Sequence, residues 1–179
     1  MKKVVKFGGS SLASARQFKK VADIIRADKS RRYVVPSAPG KRNSKDEKVT
    51  DLLYACYDAA SQGGAYKKIL EKIKNRYMEI IDGLDLNLNL DPEFDKIEEN
   101  FLAGAGRDYA ASRGEYLNGI VIAEYLGFPF VDAAEVIVFN DDGSFDAEES
   151  NRGLSERLGA LGRAVIPGFY GAKRDGSVK

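Results

Sequence analysis

Short β-branched runs alternate along the chain with longer stretches of helical periodicity. Residues 2–7 (KKVVKF) predict a strand that ends at Gly8-Gly9. Over residues 13–28, Phe18, Val21, Ala22 and Ile25 follow the i, i+3, i+4 spacing of an amphipathic helix. Residues 32–35 (RYVV) predict a second buried strand, stopped by Pro36 and Pro39. Two helices are predicted next, over 48–61 and 65–82, broken at Gly63-Gly64. In the second, Ile69, Ile73, Tyr77 and Ile80 form one stripe. Lys67, Lys68, Lys72 and Lys74 lie largely off it and read as a solvated face. Asp91-Pro92 reads as a helix start, with Asp91 as N-cap and Pro92 at the first helical position. That helix reaches about Ala103, and after Gly104-Ala105-Gly106 another covers 108–126. Residues 128–131 and 135–139 predict short strands, followed by a turn at Asn140-Asp141-Asp142-Gly143. Residues 150–161 predict a helix and 163–170 (RAVIPGFY) a last strand. Asp175-Gly176 is a hairpin signal, so the chain is expected to stop inside a hairpin, as one cut short does.

Buried strands alternating with helices predict an α/β fold, a mostly parallel sheet sandwiched between helices. The 179 residues suit one domain. Such sheets bind ligands at the carboxyl ends of their strands, so the loops after each strand are the places to look for chemistry. Charge and composition narrow that chemistry. Lys and Arg number 28 against 27 Asp and Glu, a net of +1 that lacks the footprint of a nucleic-acid binder. The chain has no His, which excludes a Ser-His-Asp triad, a Cys-His pair, His-ligated zinc and a His base. The single Cys56 excludes an intrachain disulfide and fits a reducing compartment. With Leu52, Leu53 and Ala59 in register it reads as inert packing. No apolar run approaches the roughly 18 residues of a membrane span, and residues 1–7 are too short and polar for a signal peptide. A cytoplasmic protein without membrane partners is expected.

Four loops are candidates. In Lys6-Phe7-Gly8-Gly9-Ser10-Ser11, two glycines let backbone N–H groups point at phosphate oxygens, the serines add hydroxyls, and Lys6 sets an ammonium over the same anion. The plainer reading is a glycine turn before a helix; Lys6 and the strand–loop–helix context favour phosphate. GxxxxGK[ST] is absent, and Gly104-Ala105-Gly106 lacks both the third glycine and a preceding strand. The loop from Ser37 through Ala38, Pro39, Gly40, Lys41, Arg42 and Asn43 to Ser44 suits an anionic ligand or is an exposed basic loop. Thr50 reads as a helix cap or a ligand contact. In Ser112-Arg113-Gly114-Glu115 the glycine disfavours helix by about 0.8–1.0 kcal/mol relative to Ala, which points to a close approach by chain or ligand. Glu115 is either a partner for a ligand ammonium or a surface carboxylate paired with Arg113 or a lysine. In Pro167-Gly168-Phe169-Tyr170-Gly171 the glycines line a crevice or form a bulge, with core packing the default for Phe169.

Taken in order, KFGGSS, VVPSAPGKR…KVTDLL, SRGEYLNGIVIAEYLG, PFVDA and VIPGFYG resemble the N-terminal part of the aspartate kinases of the amino acid kinase family. The resemblance runs the length of the chain. It implies transfer of the γ-phosphoryl of ATP to the β-carboxylate of L-aspartate, the committed step towards lysine, threonine, methionine and isoleucine. It places Lys6, Phe7, Gly8, Gly9 and Ser10 at the ATP phosphates, with Lys6 stabilising the transferring group. It places Ser37, Thr50, Glu115 and Phe169 at aspartate. Mg²⁺ arrives with ATP rather than in a cage of protein ligands, and a homo-oligomeric parent is implied. An acceptor carboxylate is already ionised at neutral pH and needs no base, which suits a chain without His. The family's Arg-Gly-Gly-Ser-Asp segment is expected soon after Lys179, and the adenine-binding half and ACT regulatory domains lie outside these residues. An insertion between Gly40 and Val49 lengthens the substrate loop, so the role of Thr50 depends on alignment across it. The chain alone is expected to show little or no kinase activity. The competing readings are another member of the family, acting on glutamate, acetylglutamate or a nucleotide, and a non-catalytic binding or oligomerisation module.

Overall fold

The computed structural model describes residues 1–179. It opens with a strand–helix–strand unit: β1 (Lys3–Phe7), a 3-10 turn over Gly9–Leu12, α1 (Ala15–Arg26) and β2 (Arg31–Pro36). Four helices follow, α2 (Val49–Ser61), α3 (Lys67–Gly83), α4 (Asp91–Leu102) and α5 (Arg107–Leu126). Next come a single turn α6 (Ala133–Val136), the short strands β3 (Val138–Phe139) and β4 (Phe145–Asp146), and α7 (Ala147–Leu161). The chain finishes with β5 (Ala164–Val165) and β6 (Ala172–Lys173). β1, β2 and β5 form a parallel sheet in that order, and a small mixed sheet has the order β4-β3-β6.

Side-chain alternation along the parallel strands sorts the core onto two faces. Val34 and Val165 join a cluster of 26 buried residues with Phe18 and Val21 of α1, Leu53 and Cys56 of α2 and Ile73 and Tyr77 of α3. Tyr33, Ala164 and Ile166 point the other way, into a cluster of seven with Val131, Ala133, Val136 and Tyr170. Leu154 and Leu158 of α7 pack against this smaller cluster. Helices thus pack along the first face, leaving Val5 and Phe7 of β1 half-buried, whereas α7 shelters only the β2–β5 side of the second. There Val4 of β1 stays 67% exposed.

α5 is buried almost all round, as a helix in the middle of a domain must be. Two glycines let neighbours press onto it. A Cβ at Gly114 meets the Ala38 methyl at 2.7 Å, and one at Gly119 meets Phe130 and Pro167 at 2.8 Å. No helix is long and apolar enough to cross a membrane.

The main elements match the sequence pattern, and the differences have local causes. Residues 128–131 give one bridge, Phe130 to Val165, because Pro129 has no N–H to extend a ladder. Residues 133–136 turn helical since the Asp132 carboxylate accepts the Ala134 N–H at 3.0 Å, leaving only β3 as strand. The last strand shrinks to β5 because Pro167 cannot donate and Phe169 adopts a φ of +75°. Asp91 is the first residue of α4 rather than its N-cap. The Asn89 side chain accepts the Asp91 N–H at 2.9 Å, and the Asp91 carboxylate pairs with Lys74 at 2.7 Å.

Candidate active site

The carboxyl ends of β1 and β2 lie side by side, Phe7 opposite Pro36, and the loops that leave them lock together. The Ser37 N–H donates to the Phe7 carbonyl (3.0 Å) and the Gly40 N–H to the Gly9 carbonyl (2.9 Å). The loops cross so closely that a Cβ at Gly9 sits 2.8 Å from the Ala38 oxygen, and one at Gly40 sits 2.7 Å from the Gly9 carbonyl carbon. Both glycines are therefore demanded by the fold. Gly8 is not: it has φ −75°, ψ 168°, open to any residue, and a Cβ there meets nothing within 4 Å. Its bare backbone faces open space one residue after Phe7, whose half-buried ring packs on the main core.

α3 bolts the two loops down through Arg76, a residue with no sequence signal of function. Its buried guanidinium donates to the Ala13 carbonyl (2.7 Å) and the Gly40 carbonyl (2.7 Å), and pairs with Asp46 at 2.5 Å. Asp46 also takes Arg42 Nε at 2.9 Å and Arg42 N–H at 2.9 Å. Hydrogen bonds from Arg42, ahead of those from Arg76, hold the Asp46 carboxyl well below its ordinary range. Arg42 further pairs with Glu79, so its charge is spent on the loop rather than offered to a ligand. Lys41 has no such partner and lines a depression of about 300 Å³ with Ser10, Arg16 and Lys20.

Glu115 enters the same region from α5. Its Oε1 accepts the Ala38 N–H at 3.3 Å, while its Oε2 is buried with no hydrogen-bond partner. Burial pushes the Glu115 carboxyl up, opposed by the Ala38 N–H and by the Lys6 ammonium. The reading of Glu115 as a surface carboxylate paired with Arg113 does not hold. Arg113 is itself buried and lies over the rings of Tyr109 (4.6 Å) and Tyr116 (4.3 Å). A buried acceptor left unpaired costs free energy, so its retention at the carboxyl end of the sheet marks it for an outside donor.

The structure thus gathers Lys6, Gly8, Gly9, Ser37 and Glu115 around the ends of β1 and β2. Thr50 lies in the first turn of α2, where N–H groups have no intrahelical acceptor. The preceding Val49 N–H donates to the Pro39 carbonyl (3.3 Å), and the Val49 side chain lies 3.7 Å from where a Gly114 Cβ would sit, so this turn borders the Glu115 region. Asn118, one turn along α5, donates to the Ser37 carbonyl at 2.6 Å and keeps a buried, unpartnered Oδ1. Its place in SRGEYLN, three residues after Glu115, was the available clue. Ser10 is exposed in the 3-10 turn. Phe169 is not core: it is 84% exposed, with Gly168 so close to β2 that a Cβ would meet Val35 at 2.9 Å. It stands at the end of the β5 side of the sheet, over the uncovered face. No three His, Cys, Asp or Glu side chains gather as a metal cage.

The profile described as "Amino acid kinase family" matches residues 1–178. Aspartokinase 3 of Bacillus subtilis (strain 168) is 36% identical over 98% of this chain, which spans 42% of that protein. Among solved structures, Clostridium acetobutylicum aspartate kinase superposes with a TM-score of 0.95 at 48% identity, over all of this chain and 42% of that one. E. coli aspartokinase III, solved with aspartate and ADP, has a TM-score of 0.82 at 23% identity, over all of this chain and 43% of that one, and shares the fold. The chain therefore spans about two-fifths of the length of these relatives. With a profile match that runs almost from end to end, the chain belongs to the amino acid kinase family.

Proposed function

We propose that the chain is the N-terminal part of the catalytic domain of an aspartate kinase, whose full length transfers the γ-phosphoryl of ATP to the β-carboxylate of L-aspartate. The observation that carries this reading is the presence, at one sheet end, of an unpartnered buried carboxylate oxygen on Glu115 and of the exposed Lys6, whose charge acts on that carboxyl. An amino acid substrate needs an acceptor for its ammonium; Glu115 Oε2 supplies it. Its carboxylates need donors, which Thr50 and the free N–H groups of the first turn of α2 supply. Ser37, whose carbonyl accepts from Asn118, borders this region, and Phe169, exposed over the other face of the sheet, is proposed to reach the substrate from there.

The reaction asks little acid–base chemistry of the protein. The acceptor carboxylate is ionised at neutral pH, so no general base is required. Rate then depends on in-line placement and on neutralising charge at the transferring phosphoryl group. Gly8 fits that need, since nothing in the chain fills the space beside its backbone. Lys6 supplies positive charge over the same oxygens. Mg²⁺, carried in on the nucleotide, supplies further charge neutralisation when bound. Phe7, Gly9 and Ser10 complete the loop. A cytoplasmic setting suits the single buried Cys56, whose thiol burial pushes up to about 11.

A substrate panel on the full-length protein tests the reading. Aspartate-dependent ADP formation is expected, with glutamate, acetylglutamate and nucleoside monophosphates inert. Turnover with one of those and not with aspartate overturns the substrate assignment, and none with any overturns the kinase reading. The isolated 179-residue chain, which spans about two-fifths of the length of its relatives, is expected to form little or no ADP with aspartate.

A further inference from the structure

At the opposite end of the parallel sheet lies a depression of about 470 Å³ to which no role is assigned. The C-terminal ends of α1 and α7 and the starts of β2 and β5 surround it. Ile25, Phe128 and Leu161 supply its apolar lining, and Arg26, Lys29, Arg31, Arg32 and Arg163 its charge, against the single acid Asp28. Five cations less one carboxylate leave +4 in one hollow, in a chain whose whole net charge is +1.

Part of that charge serves the fold. Arg26 donates to the Tyr125 carbonyl at the end of α5 (3.0 Å), and Arg31 donates to the Ile24 carbonyl near the end of α1. Cations at helix C-termini complement the dipole. Asp28 is already engaged by Lys3 (2.8 Å) and by the Ser30 N–H (2.8 Å), hydrogen bonds that hold its carboxyl well below the ordinary range. Lys29, Arg32 and Arg163 remain. None of these side chains makes an ion pair or donates a hydrogen bond, and the Arg163 guanidinium lies over the Phe128 ring, 4.9 Å from its centre. Three like charges gathered without a counter-charge repel one another, a cost that an anion removes.

We propose that this hollow is a second anion site, remote from the reaction centre, for a small soluble compound bearing a di- or polyphosphate group. The phosphate oxygens are met by Lys29, Arg32 and Arg163, and any flat apolar part lies along Phe128 and Leu161. Guanidinium groups suit such oxygens because their paired N–H donors match phosphate geometry.

The test is a titration of the ¹⁵N-labelled full-length protein with pyrophosphate, read by amide chemical shifts. Saturable shifts are expected around residues 29–32 and 162–163, weakened by added salt. Charge reversal at two exposed positions, Lys29→Glu with Arg32→Glu, weakens binding about tenfold or more while distant amides stay in place. Arg163→Gln gives the same reading should the double reversal disturb folding. Lys6→Ala leaves this binding unchanged. The proposal is overturned if millimolar pyrophosphate produces no saturable shift there. It is equally overturned if the shifts survive charge reversal, or are confined to residues 8–11 and vanish in Lys6→Ala.

Discussion

A methyl group added at Gly9 meets the Ala38 oxygen at 2.8 Å and the Gly40 nitrogen at 3.1 Å, whereas one added at Gly8 meets nothing within 4 Å. Adjacent residues in one motif are thus glycine for different reasons, one internal to the fold and one external to it. Gly9→Ala is expected to destabilise the chain by about 1–3 kcal/mol through overpacking against backbone that cannot yield. Gly8→Ala is expected to change stability by no more than about 0.5 kcal/mol, yet to weaken nucleotide binding by the full-length protein. Urea denaturation and nucleotide titration of the two variants separate these roles. Glu115 offers a second residue-level test through pH. Burial raises its folded pKa, so the fold favours the protonated carboxyl. That contribution is complete below the unfolded value, about 4.3, and is lost as pH rises through the raised folded value. Glu115→Gln removes the dependence. The variant is expected to gain stability over wild type between pH 4 and pH 7, measured by denaturation at both, while losing aspartate binding in the full-length protein.

Between elements, the site is held by contacts that join distant parts of the chain. Arg76 on α3 reaches the first loop at Ala13 and the second at Gly40 and Asp46. Arg76→Ala leaves Asp46 with Arg42 alone and takes the side-chain donor from the Ala13 and Gly40 carbonyls, and is expected to cost about 1–3 kcal/mol in chemical denaturation. Asp46 has a depressed folded pKa, so its contribution is fully present above the unfolded value, about 3.9, and is lost progressively as pH falls from there towards the depressed folded value. Asp46→Asn is expected to lose part of the wild-type acid limb, leaving a flatter stability profile below pH 4. These contacts also show what could be read beforehand. The β1–glycine loop–α1 unit was legible because each signal is local: a β-branched run, a pair of glycines, then a helical stripe. The placing of Gly114 against another segment was legible from the penalty of glycine in a helix. Arg76 was not, since it stands in the lysine-rich helix of residues 67–83 and its partner Asp46 is 30 residues upstream. Nor was the turn at residues 133–136, set by one carboxylate cap, or the exposure of Phe169, whose φ of +75° runs against the ordinary preference of an aromatic residue.

For the whole molecule, the parallel sheet divides the labour. One face carries the large core that makes the chain fold, while the other is closed only over β2 and β5. Lys6 belongs to the exposed part of β1, beside Val35 of β2. The glycine loops and Glu115 gather at the ends of β1 and β2, and the unpaired cations at the starts of β2 and β5 line a hollow at the other end of the sheet. The account rests on Lys6 acting on a transferring phosphoryl group rather than supporting the fold. The most direct test is kcat of the full-length protein carrying Lys6→Ala, with aspartate and ATP saturating and the fold checked by thermal denaturation. The account predicts a fall in kcat of about 10²–10³-fold, as for loss of one preorganised charge at a transition state, with the melting temperature unchanged. A variant that folds normally and turns over at the wild-type rate would contradict it.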